Sequence, residues 1–263
     1  MFEIDAASFS TLSPLPGEVE TGAAIVGAVL SGHTQGKVFV NARPDPGSLF
    51  AYDNGFCAIA GPVANADFAK ACLDWLCGHA NQDFFILYPG HPRWVPVLDA
   101  VMAASTKKVP RVAFEFDADD FAARRPTQLL PPEYALVPMD ATLMRKAAQT
   151  MYPWIGGIWK SASLFENHGI GFCVLAGDRI VSVCYSVFVS GRHHEIDIMT
   201  VEKFRKSGLA RAAASAFIDE CRKRELEPGW DCFKDNLASY HLAQRLGFKP
   251  TGEFPVYCWQ RTR

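Results

Sequence analysis

Six consecutive residues, Arg205-Lys206-Ser207-Gly208-Leu209-Ala210, bring together two cations, a hydroxyl and a glycine. Their flanks give them chemical meaning. Residues 195–201, Glu-Ile-Asp-Ile-Met-Thr-Val, alternate polar and apolar, the pattern of a strand with one buried face. Residues 209–224 are rich in alanine and carry Leu209, Ala213, Phe217 and Ile218 at helical spacing. A strand therefore runs into a short basic turn that opens a helix. The first N–H groups of a helix have no acceptor inside it, and the helix dipole is positive there. Gly208 permits close approach and Arg205 and Lys206 add charge, which makes the turn a candidate pyrophosphate cradle. The strand offers a second chemistry. Alternation puts Glu195, Asp197 and Met199 on one face and Ile196, Ile198 and Thr200 on the other. Either carboxylate is then placed to address a cleft and to move a proton.

Further along, Pro228-Gly229-Trp230-Asp231-Cys232-Phe233 reads as a short strand. Asn236 heads a helix that closes on Leu246-Gly247-Phe248. The Arg205–Ala210 turn resembles motif A of the GNAT superfamily of N-acetyltransferases, whose turn reads Arg/Gln-x-x-Gly-x-Gly/Ala. The helix headed by Asn236 and closed by Leu-Gly-Phe resembles motif B of the same superfamily, in the right order and at the right separation. The resemblance covers residues 134–260. It is closest to a subgroup that includes zwittermicin A resistance acetyltransferases, whose members carry an N-terminal region of comparable length.

The resemblance implies a mixed α/β fold in which two central strands of a mixed sheet splay apart around the cofactor. It implies acetyl-CoA as co-substrate and a small-molecule amine as acceptor. Backbone groups of Met199, Thr200 and Val201 would line the pantetheine arm, and Arg205, Lys206, Ser207, Gly208, Leu209 and Ala210 would hold the pyrophosphate. Asn236 and Ser239 would lie beside the cofactor. Glu195 is the candidate general base, because the family often places a carboxylate there facing the acceptor, or else a carboxylate paired on the sheet face with His193, His194 or Arg192; Asp197 is the next carboxylate. The candidate acid departs from the pattern. Many GNAT enzymes carry a Tyr seven residues after the motif B Asn, and here that position is Ala243. Ser239 is the nearest replacement, as a proton relay or a cofactor contact, with Tyr240 and Tyr257 further candidates. The aromatic, glycine-containing stretch 151–159 lies where the family carries its acceptor loop. It reads equally as a hydrophobic plug. The missing Tyr also leaves open a non-catalytic acyl-CoA sensor, and a protein or peptide amine remains an alternative acceptor.

Composition bounds these readings. The chain has 263 residues, 49% hydrophobic and 21% charged, with a formal net charge of −2. That balance supports a sizeable core and implies no general affinity for nucleic acid or acidic membranes. Eight cysteines occur with no Cys-x-x-Cys pair, so reduced, buried thiols in a cytoplasmic protein are expected, and no metal site. The apolar stretch 23–30 is too short to span a bilayer and reads as a packed helix. Three prolines within residues 126–132 interrupt regular structure. This break separates an N-terminal α/β region, 1–126, from an acetyltransferase domain, 133–263. In the first region strands are expected at 38–40, 56–59, 84–87 and 112–116, with helices at 66–77 and 94–104. It shows no catalytic motif, and whether it is a degenerate GNAT-like half is left open.

Overall fold

Short apolar runs bounded by Gly, Pro and Asn become strands, and runs with helical spacing become helices that cover them. The computed structural model describes residues 1–12, 19–62, 64–78, 83–125, 130–153 and 155–261. Contacts divide the chain into two compact units, Met1–Arg111 with Glu253–Arg263, and Val112–Gly252.

The first unit contains β1 (Phe2–Ile4), α1 (Ala23–Leu30), β2 (Lys37–Val40), β3 (Leu49–Asp53) and β4 (Phe56–Ala60). It continues with α2 (Ala66–Gly78), β5 (Phe84–Pro89) and α3 (Val95–Met102). The strands β1 to β4 pair antiparallel in chain order, and β4 pairs parallel with β5. Residues Tyr257–Gln260, the end of the last strand, lie antiparallel beside β5. Its core gathers Phe50, Ile59 and Phe85 from the sheet with Leu76 of α2, Leu98 of α3 and Trp94. The strands β1 and β3 were not expected from the sequence. The first is only three residues long, and β3 follows a Pro/Gly-rich run that masks it.

The chain continues with β6 (Lys107–Phe116), α4 (Ala118–Arg124), β7 (Tyr134–Pro138), α5 (Ala141–Thr150), α6 (Ile155–Ile158) and α7 (Ala162–His168). Then come β8 (Gly171–Ala176), β9 (Arg179–Ser190), β10 (His193–Thr200), α8 (Leu209–Lys223), β11 (Glu227–Phe233), α9 (Leu237–Arg245) and β12 (Phe248–Gln260). In the second unit the strand order is β6-β11-β10-β9-β8-β7. The pairings from β7 to β10 are antiparallel, and β10 pairs parallel with β11. Local chemistry sets the boundaries. The Asp140 carboxylate accepts from the Leu143 N–H at 2.7 Å and caps α5. Gly177, with φ of 57°, closes the β8–β9 hairpin. Arg125, before Pro126, is extended, which stops α4. Residues 126–129 of the proline-rich break lie outside the described residues.

The helix α8 packs on this sheet through Leu209, Ala213, Ala214, Phe217 and Ile218, against Val174, Val181, Cys184, Ile196 and Trp230. Its alanines bring the helix backbone close to the strands, and Phe217 fills the space between. Full burial of such a side chain contributes about 1.5–3 kcal/mol. All eight cysteines are free thiols, and all but Cys77 and Cys258 are buried. Among the described residues no helix is long and apolar enough to cross a membrane.

Candidate active site

The turn between β10 and α8 begins with a single helical turn, Glu202–Phe204, and continues through exposed Arg205, Lys206, Ser207 and Gly208. Lys206 (φ 65°) and Gly208 (φ 78°) both adopt the left-handed conformation. Gly208 is the residue before the first helical position, and no side chain caps the helix. A Cβ on Gly208 would meet nothing within 4 Å, so its backbone angle and not its packing favours glycine. Leu209 anchors the start from beneath, being 1% exposed. The result is an uncapped helix start with cationic side chains around it, which fits a diphosphate. Arg205 also turns back, its Nε–H donating to the Thr200 carbonyl at 3.3 Å.

Beside this turn the sheet opens. β10 pairs with β11 only from His193 to Glu195, against Glu227 to Gly229. β10 then runs on to Thr200 and β11 to Phe233, so the two strands part just past Glu195. On the other side of β10, Glu195 faces Phe188 and Ile196 faces Ser186, leaving Val187 as the extra residue of a bulge. A bulge bends and twists its strand, and this one sits where the strands separate.

The ladder phase decides which backbone groups of β10 face the opening. The Val201 N–H donates to the Val181 carbonyl at 2.9 Å, and the Val201 carbonyl accepts from the Phe204 N–H at 2.8 Å. In an antiparallel ladder alternate residues turn their backbone groups to the same neighbour. Met199, opposite Val183, therefore also turns its backbone toward β9, and its carbonyl accepts from Ser182 Oγ at 3.3 Å. Thr200 and Ile198 turn theirs toward the opening. The backbone groups that face the opening are those of Ile198 and Thr200, the Thr200 carbonyl also accepting from Arg205. Side-chain alternation does not reveal this phase, because it depends on register with β9.

Glu195 lies at the fork with its Oε2 2.9 Å from His193 Nε2. The carboxylate is 19% exposed and the imidazole 40%. Burial alone would lower the His193 pKa, but the hydrogen bond and charge of Glu195, with Glu227 and Asp231 nearby, raise it overall. The pair lies over Gly229. A Cβ at that position would stand 2.6 Å from Glu195 Oε2 and closer still to the His193 ring. Asp197, on the same strand, accepts a hydrogen bond from the Tyr152 hydroxyl at 2.8 Å.

The remaining candidates are partly committed elsewhere. The Asn236 side chain accepts from the Ser239 N–H at 3.2 Å and caps α9. The hydroxyl of Ser239 accepts from the Trp230 indole N–H at 3.1 Å, which leaves its own proton to donate. Trp230 itself is core, 4% exposed. Ala243, at the position of the absent Tyr, is fully buried. Tyr240 packs edge-on to Phe114, with ring centroids 5.3 Å apart. The Tyr257 hydroxyl donates to Asp99 at 2.8 Å within the first unit, and its pKa is raised by burial and by that bond. In the aromatic stretch Ile155 and Ile158 are fully buried, Trp159 donates to the Ser186 carbonyl at 2.9 Å, and Trp154 lies outside the described residues.

A family model for GNAT acetyltransferases matches residues 19–257. The chain belongs to this family. The match runs through both units. The chain is 30% identical over 236 residues to the uncharacterized N-acetyltransferase YdfB of Bacillus subtilis strain 168, covering 88% of each chain. Among solved structures it resembles a GCN5-related N-acetyltransferase-like protein from Streptococcus suis 89/1591, with a TM-score of 0.75 and 24% identity. That likeness covers 97% of this chain and 99% of the other. A tandem GNAT protein from the clavulanic acid biosynthesis pathway shares the fold at a TM-score of 0.61 and 12% identity, over 98% and 97% of the two chains.

As a GNAT acetyltransferase the protein uses acetyl-CoA, and the uncapped start of α8 with its open glycine and cations suits that cofactor's pyrophosphate. Two features of this site were not found in the sequence: Gly229 beneath the pair, and Tyr152 on Asp197.

Proposed function

We propose that the protein is an N-acetyltransferase that moves an acetyl group from acetyl-CoA to an amine of a small molecule. The observation that carries this reading is the Glu195–His193 pair at the parting of β10 and β11, beside an uncapped basic helix start. Acetyl-CoA supplies an activated thioester. Arg205, Lys206, Ser207 and the N–H groups of Gly208, Leu209 and Ala210 hold its pyrophosphate, and Thr200 and Ile198 offer backbone groups to its arm. Glu195 draws the proton from the acceptor nitrogen, directly or through water, and His193 carries it outward to solvent. Ser239 keeps a hydroxyl proton available for the departing thiolate, and Asn236 holds the helix that carries it.

All of these residues fall within Val112–Gly252, so we assign the chemistry to the second half of the chain, read from the sequence as 133–263. The zwittermicin A resistance subgroup remains our finer placement, on the strength of the motifs and the N-terminal region. The name of YdfB supports the N-acetyl reading. The mostly buried free thiols support a cytoplasmic location. One observation favours a second reading, a sensor that binds acyl-CoA without turnover: the usual acid position is a buried alanine.

Glu195→Gln separates the two. Turnover should fall on the order of a hundredfold while acetyl-CoA binding persists. Thiol release is followed with an amine panel, and the defect should shrink at high pH, where more amine is neutral. Tight acetyl-CoA binding with no turnover of any amine by the parent protein would instead establish the sensor.

A further inference from the structure

The face of β10 that carries Glu195 also carries a second polar group two residues on. Asp197 pairs across the ladder with Tyr185 of β9. Its Oδ2 accepts from the Tyr152 hydroxyl at 2.8 Å, so a phenol directly after α5 orients the carboxylate. Tyr185 is fully buried, and its hydroxyl, near enough to feel Asp197, makes no hydrogen bond of good geometry. Burial and the Asp197 charge raise both phenol pKa values, so both hydroxyls keep their protons. Asp197 is only partly buried. Buried polar groups in native proteins are nearly all satisfied, so an orphan hydroxyl beside a partly buried carboxylate calls for a ligand.

The chemistry of that ligand follows from the donors and acceptors. A carboxylate has several lone-pair sites, and a phenol oxygen accepts as well as donates. An ammonium, with three N–H donors and a positive charge, satisfies both. Its position relative to Glu195 is also defined. Two residues along one strand face are roughly 6.6 Å apart. One nitrogen cannot sit on Asp197 and react beside Glu195 at once.

We infer that Asp197, Tyr152 and Tyr185 bind a second ammonium of the acceptor, whose class is therefore a short aliphatic diamine. The inference rests on the reading of Glu195 as the base. Putrescine and butylamine, equal in chain length, are the probes. Calorimetry on the CoA-saturated protein should show putrescine binding at least tenfold more tightly than butylamine. Asp197→Asn should erase that preference while butylamine affinity stays near the parent value. Tyr185→Phe, which keeps the buried shape, should lower the preference severalfold; Tyr152→Phe serves if the Asn variant does not fold. Equal affinity of the parent for both probes would overturn the inference. So would an undiminished preference in Asp197→Asn, or a matching loss of butylamine affinity, which would place Asp197 at the reacting amine. The failure of the proposed function looks different: no thiol release with any amine, whatever the probes' affinities.

Discussion

Gly229→Ala tests the pair at the fork most sharply. Gly229 sits opposite Glu195 on the last shared rung of β10 and β11, with a backbone angle outside the left-handed region. Alanine therefore costs the backbone nothing, and it restricts the unfolded chain slightly. Its methyl, however, would lie 2.6 Å from Glu195 Oε2. Non-bonded atoms rest at about 3.5 Å or more, so the carboxylate must retreat by roughly 1 Å. The atoms in the way are the far ends of two partly exposed side chains, which can swing aside at about 0.5–1.5 kcal/mol of rotamer strain. The melting temperature should fall by only about 2–4 °C. The chemical cost is larger, because a catalytic group misplaced by about 1 Å loses on the order of a hundredfold in rate. That corresponds to roughly 2.7 kcal/mol in the barrier. The assay is kcat/KM by thiol release, alongside thermal unfolding with and without acetyl-CoA. A folded Gly229→Ala protein within about threefold of parent activity would refute a role for the pair. Loss of the acetyl-CoA thermal shift would refute the claim that only the base was disturbed.

Acetyl-CoA should raise the melting temperature of the parent protein by mass action, and Arg205→Glu with Gly208→Asp should abolish that shift. An unchanged shift in the double variant would put the phosphates elsewhere. The pH profile of kcat/KM should carry a rising limb above the ordinary imidazole value of about 6.5, because His193 is raised by Glu195 and must lose its proton before the pair accepts another. His193→Gln should remove that limb, and an unmoved limb would exclude His193 from proton transfer. In the first unit Asp53 is 2% exposed and its pKa is raised by burial to about 7. The folded state then holds a proton that the unfolded state releases near pH 4, so stability is full below about 4 and declines as pH rises toward 7. A shift of about three pH units corresponds to a decline on the order of 4 kcal/mol. Urea midpoints should fall across that window in the parent and stay nearly flat in Asp53→Asn; equal slopes would disprove the assignment.

The amino-acid sequence by itself determined what depends on near neighbours. The alternation of residues 195–201, the alanine-rich α8 and the basic turn with Gly208 were all legible. Each rests on contacts within a few residues, and side-chain type decides those. Tertiary structure decided what depends on register. Glu195 meets Gly229 only because β10 and β11, far apart in sequence, pair in parallel. Tyr185 meets Asp197 because of the β9–β10 ladder, and Tyr152 arrives from the end of α5. Whether Met199 or Thr200 turns its backbone to the opening depends on the phase of that same ladder. No side-chain pattern encodes it, because backbone N–H and C=O groups are alike at every residue. Glu253–Arg263 likewise follow the catalytic motifs in sequence yet belong with the first unit, where Tyr257 pairs with Leu87 and donates to Asp99. A strand's partners are chosen by the packing of distant apolar faces, and a local pattern can show that a strand exists without naming its neighbour.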